Sequence, residues 1–398
     1  MEDGEISFPY PFYIIGNRPR PLGMRERIWI CPLYTVRFIY IFKKGKIMKK
    51  LRQAGILAAA VLVLAGVACI QYYNRKPQRY EGQFFGCFDT VTTITGYADS
   101  QEDFSDKLAL MQDKLTYYHQ LFDIYHTYDG INNIKTINDA AGVQAVKVDG
   151  EILQLLEMGR QMYDRTDGAV HIAYGSVLSL WHDYREEGLR NPKHARIPTK
   201  EELDGRAEHT DMDDLVIDEE LSTVFLKDGE MSLDVGSIGK GYAVQKLADY
   251  AREIGMEHAL ISVGGNVCAV GGKADAASWV VGVENPRPDS GKPYIATVEL
   301  DSGCIVTSGD YQRYYEVEGQ RYCHIIDTDT NMPPQYVSAV SVRAKDSGVA
   351  DAVSTALFNM DFEAGLSLVE EMEDVEAMWV EKDGQIRCSG GFKIYEEK

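Results

Sequence analysis

The segment from Leu233 to Ala243 constrains this chain more than any other stretch, because it places three glycines within six positions after an apolar run. This pattern is typical of a buried strand that ends in a tight turn and continues as a helix. A helix start presents unpaired backbone N–H groups and a positive dipole end, and Lys240 is placed to reach an anion bound there. The segment therefore predicts a diphosphate cradle. The alternative is a turn whose glycines only permit close packing.

A second segment, Asp351–Phe358, carries a carboxylate and a hydroxyl four residues apart. Residues at this spacing share one face of a helix, so Asp351 and Thr355 can bind the same ligand. Oxygen ligands suit Mg²⁺, which usually takes few protein ligands and adds water and substrate phosphates. The alternative is a first-turn acid and a packed polar residue. Together with the anion cradle, the pair predicts a metal-bound nucleotide.

The charge distribution excludes one class of partner. The chain has 398 residues and a formal net charge of -20, but the first 68 residues carry eleven basic and four acidic side chains, which leaves -27 for the rest. A body this acidic argues against nucleic acid, whose phosphates require clustered basic residues. None of the seven cysteines forms a CxxC pair, so no zinc or iron–sulfur site is expected. The five cysteines beyond residue 70 are expected to be mostly buried free thiols.

The N-terminal region has the layout of an export signal. Basic residues at Met48–Arg52 precede Ala54–Ile70, a run of 17 apolar or small residues that contains Gly-Val-Ala-Cys ending at Cys69. The junction is similar to the lipidation site of bacterial lipoproteins, with lipid on Cys69, and an uncleaved membrane anchor is the alternative. Either places the body on the extracytoplasmic face of the cell membrane. Residues 1–47 are expected to be an upstream extension or translation artefact, 48–69 the leader or anchor, and 70–83 a polar tether.

Residues 84–398 are expected to form one α+β domain with lobes, in which mixed, largely antiparallel sheets are flanked by helices. Helices and hairpin-spaced strands are mixed along this region without regular βαβ alternation. Helical patterns cover residues 103–125, 150–166, 240–254, 351–358 and 362–371. Alternating or apolar runs predict strands, including 84–97, 215–217, 224–226, 259–263, 279–283, 295–300, 304–308, 322–327, 377–381 and 391–395.

Three further polar turns complete an ordered set of motifs. Ser262–Asn266 ends a strand with two glycines, Thr307–Tyr311 is a hydroxyl-rich turn, and His324–Asp327 places a histidine and an aspartate at a strand end. With Leu233–Ala243 and Asp351–Leu357, this set resembles the ApbE family of FAD:protein FMN transferases over residues 85–395. The resemblance implies an ApbE-like, T-fold-like catalytic unit.

The resemblance also implies an activity. Such enzymes bind FAD with Mg²⁺, cleave its diphosphate, transfer FMN to a threonine or serine hydroxyl of an acceptor protein and release AMP. The expected acceptor is an exported electron-transfer subunit that carries a flavinylation threonine. Two other functions remain open: a pyrophosphatase that splits FAD into FMN and AMP, and a flavin-binding lipoprotein without catalysis.

Site residues follow from the resemblance motif by motif. Asp351 and Thr355 are implied as side-chain metal ligands, and Ser237 as a further ligand through its backbone carbonyl. FAD contacts are implied at Phe88, Tyr125, Ala169, Val170, His171, Asp234, Lys240 and Ile326. His171 departs from the family pattern, in which aspartate is common. His324 is the first candidate for the general base because histidine titrates near neutral pH, and Asp351 is the second.

Overall fold

The computed structural model describes residues 45–74, 77–287 and 291–395. The described residues divide into two compact units, one up to residue 78 and one from residue 79 onward. The first contains helix α1 (Gly45–Asn74), in which the side chains of residues 52–67 are exposed. Among the residues described, no helix has both the length and the apolar character needed to cross a membrane. The extension predicted for residues 1–47 lies almost wholly outside the described residues.

The second unit contains the remaining elements. Its strands are β1 (Gln78–Cys87), β2 (Thr90–Ala98), β3 (Val146–Lys147), β4 (Leu215–Asp218), β5 (Thr223–Leu226), β6 (Ala259–Val263), β7 (Asn266–Val270), β8 (Trp279–Glu284), β9 (Tyr294–Leu300), β10 (Gly303–Gly309), β11 (Tyr314–Val317), β12 (Gln320–Cys323), β13 (Val337–Ala344), β14 (Glu376–Glu381) and β15 (Ile386–Cys388). Its helices are α2 (Gln101–Phe122), α3 (Ile134–Asp139), α4 (Gly150–Arg165), α5 (Gly175–Arg190), α6 (Lys200–Ala207), α7 (Gly239–Glu253), α8 (Ser347–Phe358) and α9 (Phe362–Glu370).

An eight-stranded sheet organises this unit, in the order β1-β2-β6-β7-β10-β13-β14-β15. The pairs from β2 to β15 are all antiparallel. Helices α2, α7 and α8 pack together on one face, with α7 against β6 and β7 and α8 against β10 and β13. The β8–β9 hairpin supplies apolar side chains to a cluster on the other face. The α+β fold class with largely antiparallel sheets is confirmed.

Both faces of the central strands are buried, and strand β7 illustrates this. Cys268 and Val270 belong to the large cluster beneath the helices, whereas Val267 and Ala269 belong to the cluster shared with β8 and β9. Successive side chains of a strand point to opposite faces. The strand therefore reads as a continuous apolar run rather than an alternating one. A third cluster joins α5 to the β11–β12 hairpin and includes Trp181, Tyr184 and Tyr315.

The single strand predicted over residues 84–97 is wrong. The chain forms a hairpin of β1 and β2, and the turn residues Phe88 and Asp89 have φ values of 52° and 53°. This left-handed region is costly for side chains with a Cβ and is usually occupied by glycine or asparagine in such turns. Phe88 and Asp89 are not strong turn signals, so the sequence does not show where β1 ends and β2 begins.

The structure also differs from the sequence-based predictions in three strands and in one pair of cysteines. The predicted strand before α7 is an extended segment outside the sheets, where the Asn138 side chain bonds the backbone N–H and C=O of Leu233. Strand β13 was not predicted, and the last strand is β15 rather than residues 391–395. The expectation of free thiols fails for Cys268 and Cys304, which form a disulfide across the paired strands β7 and β10. Cys87 and Cys323 are buried and free.

Candidate functional site

The start of α7 binds an anion, and that anion is a side chain of the protein itself. The backbone N–H of Gly241 donates to Asp351 Oδ2 at 2.7 Å. The N–H groups of Gly239 and Tyr242 already bond the carbonyls of Val235 and Ile238. The open cradle of several free N–H groups predicted here is therefore replaced by one contact to a carboxylate. The dipole of α7 and this N–H together stabilise a negative charge on Asp351.

Gly241 permits the close approach of α7 and α8. A Cβ at this position would lie 3.0 Å from Asp351 Oδ2, and still closer to Asp351 Cβ and the Ser347 carbonyl oxygen. Any larger residue would push the helices apart. The glycine in the Gly-Lys-Gly sequence thus has a packing function, which in turn places Asp351 at the helix start. The segment therefore has a feature of each alternative: its glycine permits close packing, and its helix start contacts a negatively charged group.

Asp351 is buried, with 5% of its surface exposed, and burial raises its pKa. The Lys240 charge, the Gly241 N–H and the nearby Asn266 amide act in the opposite direction. Asn266 is 1% exposed, yet neither its Nδ2 nor its Oδ1 has a partner within hydrogen-bond geometry. The Asn266 amide thus lies close enough to lower the pKa of Asp351 but forms no hydrogen bond of good geometry.

The three metal ligands predicted from the sequence all offer oxygen donors, which suit a hard cation. Asp351 and Thr355 lie one turn apart in α8, and Ser237 lies in the turn that leads into α7. All three offer oxygen, and one carboxylate with hydroxyl and carbonyl oxygens is a donor set that Mg²⁺ accepts when phosphates and water complete its shell. In the described part of the chain no group of three or more His, Cys, Asp or Glu side chains could hold a metal.

The two turns at the end of the sheet lie beside Lys240. Lys240 Nζ donates to the Gly264 carbonyl at 3.3 Å, and burial lowers its pKa while Asp351 opposes that effect. A Cβ on Gly264, whose φ is 45°, would collide with Thr90 at the start of β2. The Ser262–Asn266 turn and the Phe88–Asp89 turn therefore pack against each other. Phe88, a predicted flavin contact, is half-buried there and its N–H donates to His119 Nδ1 at 3.3 Å.

His324, Lys240, Arg185 and Arg313 form a group, called the cleft here, whose three cations act on the histidine ring. The His324 side chain is exposed to water, yet surrounding protein atoms and the charges of Arg313, Arg185 and Lys240 lower its pKa to about 3. A pKa of about 3 leaves His324 neutral at physiological pH.

Tyr125 projects from a loop held by Asp123. The Asp123 carboxylate accepts hydrogen bonds from the Tyr125 and His126 backbone and from the Tyr128 hydroxyl, at 2.7, 3.1 and 2.7 Å. The Tyr125 ring is 52% exposed and its centroid lies 5.3 Å from that of His182 on α5. Burial and the Asp234 charge raise the pKa of Tyr125 to about 12, and Arg185 and Arg313 oppose this. An exposed aromatic ring next to charged groups can stack on a planar ring of a ligand.

Asp234 and Ile326 occupy two different environments. Asp234 Oδ1 accepts from the Gly236 N–H at 2.8 Å, and burial raises its pKa while His182 and Arg313 oppose the rise. It therefore belongs to the same cleft as Tyr125. Ile326 is 5% exposed and packs in the cluster of Tyr174 and Trp181. A contact of Ile326 with a flavin needs a change in that packing or involves its backbone.

The turn at Ala169–His171 is built mainly by internal contacts. Val170 is fully buried, and its N–H donates to Thr166 Oγ1 at 3.0 Å. The His171 ring lies 4.7 Å from Tyr163 and 5.4 Å from Tyr174, and burial lowers its pKa to about 4. Thr328 links this turn to the loop after His324 through a hydrogen bond of 3.1 Å to the Gly168 carbonyl. Ala169 is half-buried in the same turn.

Four residues of the cleft have no local signal in the sequence: His182, Arg185, Asn266 as an unpartnered amide, and Arg313. His182 contacts both Tyr125 and Arg185, with 3.1 Å between its Nδ1 and Arg185 Nη2. Arg185 lies near the end of α5, among charged residues. Only the tertiary arrangement distinguishes these side chains from other polar residues.

Comparison with known proteins identifies the family of this chain. The model of the ApbE family matches residues 88–379. The chain belongs to the ApbE family. It is 31% identical over 259 residues to an FAD:protein FMN transferase of Klebsiella pneumoniae, an alignment that covers 65% of this chain and 78% of that protein.

Two crystal structures of family members have the same fold. The ApbE protein of Thermotoga maritima matches with a TM-score of 0.69 and 30% identity, covering 79% of this chain and 97% of that one. The flavinyl transferase ApbE of Pseudomonas stutzeri, in its apo form, matches with a TM-score of 0.66 and 25% identity, covering 79% and 95%. The matched region includes the α7 start, His324 and Asp351.

Proposed function

We propose that this protein transfers FMN from FAD to a threonine or serine hydroxyl of an acceptor protein, depends on Mg²⁺ and releases AMP. One observation carries the proposal: the buried Asp351 carboxylate, held by the Gly241 N–H beside Lys240, with Thr355 one turn further along α8. Membership of a family whose relatives carry this activity in their names supports it.

The reaction requires charge neutralisation and positioning more than covalent help. The acceptor oxygen forms a bond to the phosphorus of the FMN half. The anhydride bond to AMP breaks, and its electron pair leaves with the AMP phosphate. A bound Mg²⁺ would polarise the diphosphate and stabilise the leaving group. Asp351, Thr355 and the Ser237 carbonyl would hold it, and Lys240 would face the phosphates from the same side.

The acceptor hydroxyl must lose its proton during this step. His324 is neutral in the free protein because burial and three neighbouring cations hold its pKa at about 3. An entering diphosphate cancels part of that positive field, so the pKa of His324 rises toward the range in which it accepts a proton efficiently. Asp351 is the weaker candidate, since its carboxylate would be committed to the metal.

The test uses the full chain with FAD, MgCl₂ and an exported electron-transfer subunit that carries a flavinylation threonine. Intact-mass spectrometry should show the acceptor gaining FMN, with equimolar AMP, and EDTA should abolish both. Asp351→Asn should lower the rate by at least about 100-fold. Asp361→Asn, at the exposed N-cap of α9, is the matched control and should transfer normally. AMP and free FMN without acceptor labelling would instead identify a pyrophosphatase. FAD binding without turnover would identify a binding protein.

We also propose that the protein is anchored to the cell membrane and faces away from the cytoplasm. The support is the basic segment followed by 17 apolar or small residues and Cys69, together with exposed apolar side chains on α1 such as Leu57, Leu62 and Leu64. Membrane fractionation tests this. The native chain should sediment with membranes and release a lipid-modified N-terminal peptide, and Cys69→Ser should lose the lipid. Recovery of unmodified protein in the soluble fraction would contradict the proposal.

A further inference from the structure

Three cations act on His324, namely Arg313, Arg185 and Lys240. Four carboxylates lie near the same group of residues: Asp234 and Asp89 act on Tyr125, Asp351 acts on Lys240, and Glu186 lies 3.4 Å from Arg185. In a chain with a net charge of -20, three cations around one histidine are a local concentration of positive charge.

The β11–β12 hairpin places Arg313 beside His324. Tyr314 pairs with Cys323, and the ladder continues by one step because the His324 N–H donates to the Arg313 carbonyl at 3.0 Å. Directly opposite residues of antiparallel strands share one face of the sheet, with Cβ atoms about 5 Å apart. The Arg313 and His324 side chains therefore project together. The charge of Arg313 also acts on Tyr125, Asp234 and Lys240, which lie on three other segments.

Arg313 is exposed and has no ion-pair partner among the residues that the structure describes. The neighbouring arginine of the same hairpin differs. Arg321 forms an ion pair with Glu316 at 3.6 Å and lies 4.5 Å above the Tyr314 ring. By the alternation of the strands, Arg321 lies on the other face of the hairpin from Arg313. One hairpin thus carries a paired surface arginine and an unpaired one directed into the cleft.

Of the three cations, the guanidinium groups keep their charge under all conditions. Burial lowers the pKa of Lys240, and the amine also donates to the Gly264 carbonyl. Arginine remains protonated in proteins and presents a planar set of donors that matches two phosphate oxygens at once. Arg185 is half-buried and shares its charge with Glu186 at 3.4 Å. Arg313 is therefore the free, permanent charge of the cleft.

We propose that Arg313 is a phosphate-binding residue of this enzyme, whose guanidinium donates to non-bridging oxygens of the substrate diphosphate opposite the metal ligands of α7 and α8. The inference rests on the proposed FMN transfer. As the acceptor oxygen bonds to the phosphorus and the anhydride bond to AMP breaks, negative charge accumulates on those oxygens. Arg313 would stabilise that charge from the His324 side, while Asp351 and Thr355 hold the cation on the other side.

Arg313→Gln tests the inference, with Arg313→Lys and the matched control Arg321→Gln in the same full chain. Binding of FAD and of riboflavin, which lacks phosphate, is measured by flavin fluorescence in MgCl₂. Arg313→Gln should weaken FAD binding by about 10- to 100-fold and leave riboflavin binding within about twofold. It should lower kcat/KM for FMN transfer by about 100-fold. Arg313→Lys should recover part of both losses because it restores the charge without the paired donors.

Two results would overturn the inference. One is FAD binding by Arg313→Gln within about twofold of the native chain, and the other is an equal loss of FAD and riboflavin binding, which indicates a structural role. Arg321→Gln should match the native protein in both assays. If the native chain binds FAD but labels no acceptor, the proposed function fails. The comparison of FAD with riboflavin still decides the role of Arg313 in that case.

Discussion

Replacing Gly241 with alanine tests the contact that creates the site. The new Cβ would lie 3.0 Å from Asp351 Oδ2 and closer still to Asp351 Cβ and the Ser347 carbonyl. The two nearest neighbours are Asp351 Cβ and the Ser347 carbonyl oxygen, and neither is the flexible end of a side chain that could move aside. Relief requires α7 and α8 to separate, which also lengthens the 2.7 Å bond from the Gly241 N–H to the carboxylate.

The expected magnitude follows from three contributions. Overpacking of a tight core costs about 1–3 kcal/mol. Weakening a hydrogen bond to a buried carboxylate costs about 1.5–3 kcal/mol. Alanine is intrinsically better than glycine inside a helix by about 1 kcal/mol, which offsets part of the loss. The net expectation is a decrease of about 1.5–5 kcal/mol in the free energy of unfolding.

Urea unfolding followed by circular dichroism measures this change. The control is Gly205→Ala in the exposed helix α6, where an added Cβ meets nothing within 4 Å. That variant should be more stable by about 0.5–1 kcal/mol. If Gly241→Ala is as stable as Gly205→Ala, or retains full Mg²⁺-dependent activity, the close approach of α7 and α8 does not position Asp351 and the reasoning is refuted.

Two further predictions concern the hairpin turn and a buried histidine. Asp89→Gly should raise the free energy of unfolding by about 0.5–1 kcal/mol because Asp89 has a φ of 53°. The control Asp99→Gly, at a residue without a positive φ, should not stabilise the protein. Equal effects of the two substitutions in urea unfolding would contradict this prediction. Burial lowers the pKa of His171 from 6.5 to about 4, so between these pH values the unfolded chain binds a proton that the folded one does not, and stability falls as the pH falls. His171→Gln should remove about 1–2 kcal/mol of the loss between pH 7 and pH 5, and unchanged pH dependence in urea unfolding would show that His171 titrates normally.

Local patterns predicted much of the fold. Helices α2, α4, α7 and α8 lie close to their predicted positions because their apolar residues repeat with the helical period. The starts of α2, α4 and α8 also carry capping residues. The β1–β2 turn was not predicted because Phe88 and Asp89 adopt a left-handed conformation that glycine and asparagine favour. Strand β13 is buried on both faces and mixes serine with valine, so it shows neither alternation nor a clear apolar run.

The candidate site was predictable only in part. The placement of Asp351 and Thr355 on one helix was predictable because helical spacing is a local property. The contribution of His182, Arg185 and Arg313 was not predictable, since each resembles a solvated surface residue until other segments are brought next to it. The same holds for the Cys268–Cys304 disulfide, whose partners are 36 residues apart and meet only through the pairing of β7 with β10.

The sequence by itself determined the α+β class, the glycine-rich start of α7, the Asp351–Thr355 pair and, through five ordered motifs, the resemblance to the ApbE family. These features depend on residues within a few positions of one another, the range over which the backbone hydrogen bonds of a helix or strand repeat. The tertiary structure decided that the anion at the α7 start is Asp351, 110 residues away in the chain, and that Arg313 faces His324. Such contacts depend on how helices and strands pack, because packing brings together residues that no local period connects.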